Sequence, residues 1–141
     1  MTAPTVEEWE NVISDDQERA ALNRWIAENV AGFQVAPEDQ WGPGDGCWFI
    51  AGTGALREFR PATDWSHAAV VERKMAELGY WMRLQSPFAR GELWFAGFTP
   101  HGMTGWNGRP DHQRGAPTGP LAICLSARAA IESERPEPNR P

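Results

Sequence analysis

The chain has little cysteine: Cys47 and Cys124 stand far apart, with no C-x-x-C pair. That leaves room in principle for a single disulfide and no more. With no secretory signal ahead of them, two reduced thiols in the core are the expectation. Long apolar runs are also missing; none approaches the ~18 residues of a membrane span, so no membrane partner is expected and the cytoplasm is the default compartment. Positive charge is in deficit, giving a net charge of −6. A long nucleic acid is therefore excluded as a partner, because binding one needs a clustered surplus of cations. No internal repeat occurs. The glycines between Gly42 and Gly54 lack the lysine and the spacing of a phosphate loop, and no cofactor is expected.

What is present fits one domain. The length is 141 residues, with 41% hydrophobic and 23% charged. A chain of this size can bury a core large enough to hold it without staples. Its unusual feature is eight tryptophans. So many indoles cannot all be hidden with their N–H groups satisfied, and some are expected to line a pocket or an interface. The cations are mostly arginine, which suits planar, bidentate contacts.

Residues 1–13 show no period and read as an N-terminal arm. Ser14 and Gln17 have capping-box spacing, and Leu22, Trp25, Ile26 and Val30 share a helical face that Gly32 closes. Phe33–Val35 is a short strand candidate, 36–46 is a Pro/Gly loop, and Cys47–Ile50 and Leu56–Phe59 read as strands. A second helix is capped by Thr63 or Asp64 and closed by Gly79. Its apolar arc takes in Trp65, Ala68, Ala69, Val71, Met75, Ala76 and Leu78, with Glu72 as the misfit.

Tyr80–Gln85 and 92–98 alternate as a hairpin. In the simplest register Leu84 faces Leu93, Met82 faces Phe95, and Trp81, Arg83 and Trp94 share the other side. Residues 99–118 have no period and read as one long loop. A last helix runs from about Pro120 to Ile131, with Ile123, Ala127, Ala130 and Ile131 inward. Residues 134–141 read as a disordered tail, which leaves a single domain over 14–133.

Three stretches carry a resemblance. Leu22-Asn23-Arg24-Trp25-Ile26-Ala27-Glu28-Asn29-Val30-Ala31-Gly32-Phe33 is similar to the opening segment of the phage ABA sandwich domain family. Thr63-Asp64-Trp65 through Met75 resembles its central helix, and Pro120-Leu121-Ala122-Ile123-Cys124-Leu125 resembles the start of its C-terminal helix. They occur in the family's order across roughly residues 20–131. The chain departs from the pattern at Ala31 and Ala69, where the family favours larger residues, and in a longer loop before the last helix. The resemblance implies an α/β (α+β) protein, an α–β–α layered sandwich. Its central sheet would be mixed or antiparallel, with about three helices. It also implies a phage-encoded protein at work in the host bacterial cytoplasm. It implies no reaction, because the shared positions are caps and core.

Candidate chemistry is sparse. His101, Asp111 and His112 could ligate a metal for a metal-assisted hydrolase, but their spacing matches no known metal signature. Cys124 lies in an apolar helix and lacks a base, and His67 sits near a helix start. Glu72 either sits at the margin of its helix face beside an arginine or accepts from a ligand in a pocket. The richest group is aromatic plus cationic: Trp81, Arg83 and Trp94 on the hairpin, with Trp106, Arg109, His112 and Arg114 in the loop. Indoles stack on flat rings and guanidinium forks grip phosphate. The expectation is a non-enzymatic binder of a small anionic, nucleotide-like ligand at Glu72, Trp81, Arg83, Trp94, Trp106, Arg109, His112 and Arg114. It would be a homo-oligomeric sponge for a nucleotide-derived immune signal. A protein-interaction module built on exposed tryptophans is the alternative.

Overall fold

The computed structural model describes residues 16–42, 46–87, 92–100 and 113–134. The expected arm over 1–13, the Ser14 cap and residues 135–141 lie outside them. Helix α1 spans Asp16–Ile26 and continues as a π-helical turn over Ala27–Ala31. Leu22, Asn23, Ile26, Ala27 and Val30 face inward, and Trp25 is half-buried. The wide turn moves carbonyls off their usual partners, and the Asn29 side-chain amide donates to the Trp25 carbonyl at 2.9 Å. Gly32 ends the helix at φ 71°, a left-handed conformation that costs a residue without Cβ little.

Phe33 leads to Val35, which bridges Phe49 of strand β1 (Cys47–Ile50). Strand β1 pairs antiparallel with β2 (Leu56–Phe59), Cys47 opposite Phe59 and Ile50 opposite Leu56. Phe33 stacks on Phe49 at 4.2 Å, and Phe59 stacks on His67 of the next helix at 5.5 Å. Aromatic contact thus couples this small sheet to the helices around it.

Helix α2 is Trp65–Glu77, capped by Asp64, whose carboxylate accepts the Ser66 and His67 backbone N–H groups. Its buried residues are Ala68, Val71 and Met75. Trp65, Ala69, Ala76 and Leu78 are exposed, so the buried arc is narrower than expected and is rolled toward Val70 and Lys74. The helix packs on strand β3, the last helix and the π-helical turn, and its buried residues are those turned toward them.

Strands β3 (Tyr80–Gln85), β4 (Trp94–Pro100) and β5 (Arg114–Ala116) form a three-stranded antiparallel sheet in the order β3-β4-β5. Strand β5 lies inside the stretch expected to be one long loop. The register also differs from the expected one: Arg83 pairs with Gly97 and Leu84 with Ala96, three residues away. Because side chains alternate, an odd slip exchanges the two faces. Trp94 therefore shares the inner face with Ala96 and Phe98, while Trp81, Arg83 and Gln85 share the outer face with Phe95 and Thr99. On that outer face Phe95 covers Gly115, where an added Cβ would come within 2.8 Å of the ring. A three-residue strand with glycine at its centre carries no alternation to read.

Helix α3, Gly119–Glu134, runs three residues beyond the expected end. Leu121, Ala122, Ile123, Cys124, Ser126, Ala127 and Ala130 are all buried, which makes it the central helix. Its small side chains let β4, β5, α2 and α1 approach it together. The architecture is mixed α+β, as expected, with three α-helices and two antiparallel sheets, of two and three strands, among the described residues.

One buried polar contact ties the ends of this assembly together. Asn23, fully buried, accepts the Ala62 N–H at 2.9 Å, joining α1 to the turn that starts α2. Asn23→Ala leaves that N–H without an acceptor and is expected to cost about 1–3 kcal/mol, read from urea unfolding.

Asp64 gives a pH-dependent counterpart. The Ser66 hydroxyl, then the backbone N–H groups, hold its carboxyl below the ordinary carboxylate range. A depressed folded value means the contribution is complete above the unfolded value of about 3.9 and fades as pH falls through the folded one. Asp64→Ala is expected to cost about 1 kcal/mol near neutrality. The gap between wild type and variant in denaturant midpoint should close on acidification below about pH 4.

Candidate functional site

The side of α1 away from the core forms one wall of an open cleft of about 720 Å³. The opposite wall is Glu38 and Trp41, which begin and follow a 3-10 turn, Glu38–Gln40. Pro37 holds the chain extended ahead of that turn (φ −57°, ψ 145°), and the Trp41 N–H closes it on the Glu38 carbonyl. Trp41 is then fixed by its indole Nε1–H, which donates to the Ala36 carbonyl at 2.8 Å. Trp25 forms the other aromatic wall, with Ala20 and Ala21 beside it. The Arg128 guanidinium from α3 lies 5.4 Å from the Trp25 ring and pairs with Glu132.

Arg24 sits between two carboxylates. Its Nε donates to Glu28 Oε1 at 2.9 Å and its Nη1 to Glu38 Oε1 at 3.0 Å. The same guanidinium lies 6.0 Å from the centre of the Trp41 ring. Exposed pairs of this kind add ~0–1 kcal/mol each to stability. Their consequence is geometric: a long cationic side chain is held in one rotamer across the cleft. One cation and two carboxylates leave the cleft with one excess negative charge. An anion entering it would meet that excess negative charge beside the arginine.

The residues expected to bind ligand are dispersed. Trp81 is 64% exposed and shares the outer sheet face with exposed Arg83. Trp94 lies on the inner face, half-buried, its ring 5.3 Å from that of Trp65. Glu72 is exposed on α2, and among the described residues no ion pair engages it. Arg114 begins β5 and donates to the Gln113 carbonyl at 2.9 Å. Trp106, Arg109 and His112, with the proposed metal ligands His101 and Asp111, lie outside the described residues. Of the five described ones, only Trp81 and Arg83 are brought side by side, and none lines the cleft.

A crystal structure of a phage protein from Bacillus cereus has the same fold, with a TM-score of 0.55 over 80% of this chain and 91% of that one. The two sequences are 17% identical over the match, so the likeness concerns the fold alone. No family model and no curated protein matches the chain.

Sequence reasoning missed the cleft residues Arg24, Glu28, Glu38 and Trp41, and placed Trp25 in the core face. The only local signal was Arg24 and Glu28 four apart on a helix, a spacing too common to single out. Among the described residues, no three His, Cys, Asp or Glu side chains converge as metal ligands.

Both cysteines are buried and unpaired with one another. Burial pushes the Cys47 thiol up to about 12, and its S–H points at the Phe59 carbonyl at 3.5 Å; burial raises Cys124 as well. Neither supplies a thiolate nucleophile near neutral pH. A disulfide-exchange thiol reagent is therefore expected to label neither cysteine in the folded protein and both after unfolding in urea. Rapid native labelling of either would contradict this placement.

Proposed function

We propose that this chain is a phage-encoded binding protein with no reaction of its own, and that it acts by docking another protein through the α1 cleft. The observation that carries the reading is an open cleft lined by two indoles, Trp25 and Trp41, with the Arg24 guanidinium beside the Trp41 ring. Tryptophan and arginine are the residues that most often dominate binding energy at protein interfaces. The openness of the cleft agrees, since small-molecule sites enclose most of their ligand. The three family-like segments, together with the fold shared with a phage protein, support a place in the phage ABA sandwich family and work in the host cytoplasm.

A second reading keeps the nucleotide-derived ligand. It is favoured by Trp81 and Arg83, which stand two residues apart on one exposed sheet face where a flat ring could stack beside a phosphate-binding guanidinium. In that reading the protein is a homo-oligomeric sponge for a host immune signal.

The two readings separate by variant. A host protein retained by wild type and by Trp81→Ala, but held at least tenfold more weakly by Trp41→Ala, is the result expected from docking. Calorimetric binding of cyclic dinucleotides or ADP-ribose derivatives that survives Trp41→Ala and disappears with Trp81→Ala or Arg83→Ala would overturn docking in favour of the sponge.

A further inference from the structure

We infer that the α1 cleft recognises a basic segment of its partner, with an arginine side chain entering between Glu28, Glu38 and the two indoles. This rests on the docking reading and adds the chemistry of what docks.

The charge arrangement comes first. Arg24 uses Oε1 of Glu28 and Oε1 of Glu38. A carboxylate accepts about four hydrogen bonds over its two oxygens, so both retain acceptor capacity. Their side chains are 46% and 71% exposed, which makes that capacity reachable from solvent. A cation entering the cleft meets one excess negative charge on a chain whose net charge is −6. A phosphate meets the reverse: its partner arginine is already shared by two carboxylates.

The aromatic walls make the second argument. Around this cleft the protein already places guanidinium groups against indoles twice, Arg24 against Trp41 and Arg128 against Trp25. The pairing that an incoming arginine would make is one these surfaces already support. Arginine is preferred over lysine because its flat fork can lie on a ring and bond a carboxylate in the same pose, whereas a compact ammonium is more strongly hydrated.

The consequence distinguishes this proposal from any anion site. Arg24 acts as an internal competitor for an incoming cation, so removing it should strengthen binding. The test is fluorescence polarisation on the full chain with labelled peptides of equal length bearing arginine, lysine or glutamate. The arginine peptide is expected to bind tightest and to weaken as salt is raised. Arg24→Gln should tighten it several-fold, and Glu28→Gln with Glu38→Gln should weaken it at least tenfold. Glu77→Gln, an exposed carboxylate on α2 outside the cleft lining, should leave it unchanged and so controls for general attraction to an acidic protein. Circular dichroism and thermal melting check that each variant is folded.

Weaker arginine-peptide binding by Arg24→Gln, or indifference to the double glutamine variant, would overturn the inference. If a protein partner were still lost on Trp41→Ala in that event, docking would stand and only the basic class would fall. If Trp41→Ala also left partner capture intact, docking would fall with it.

Discussion

The carboxamide of Asn23, bonded to the Ala62 N–H inside the core, fixes how α1 is rolled against the rest of the molecule. A helix packed by aliphatic side chains alone can rotate by some degrees at little cost; one that must present an amide to a single buried donor cannot. Successive residues lie about 100° apart around a helix. Holding Asn23 inward therefore sets Arg24 about 100° and Trp25 about 200° round the helix from it, on the side away from the core, with Glu28 one turn beyond Arg24. The cleft is a consequence of that roll. It is completed from across a loop by Glu38 and Trp41, and the indole bond to the Ala36 carbonyl keeps Trp41 in place.

Within the cleft, the opposing charges matter more than the number of aromatic rings. Tryptophan and arginine together match both a nucleotide and a protein surface, and composition alone does not separate the two. The two glutamates on Arg24 do, because they put one excess negative charge beside the group that would bind phosphate and are themselves exposed. The outer face of the three-stranded sheet has a different balance, with Trp81 and Arg83 side by side, and that is where the nucleotide reading belongs. The molecule thus carries two aromatic surfaces with distinct electrostatic preferences.

Much of the fold was legible from local signals. The bounds of β1, β2 and β3 follow from alternation and turn residues, the Asp64 cap from its place before an apolar period, and the close of α1 from Gly32. The β3–β4 register was not, because the sequence between the strands contains no two-residue turn signature that specifies it, and an odd slip exchanges the faces. That one slip moved Trp94 from an expected binding face to the inner one. The cleft was hidden for a related reason. Glu38 reaches Arg24 across fourteen residues, and Trp41 stands in a Pro/Gly-rich stretch whose path is set by contacts that no periodicity encodes.

The central claim is that partners engage the α1 cleft and not the open sheet face. Backbone amide hydrogen exchange, measured with and without a saturating arginine-bearing peptide, tests it most directly. The account predicts slowed exchange over residues 24–41, with Tyr80–Gln85 unchanged. Slowing concentrated in Tyr80–Gln85 and Trp94–Pro100, with α1 and the 3-10 turn unaffected, would contradict it.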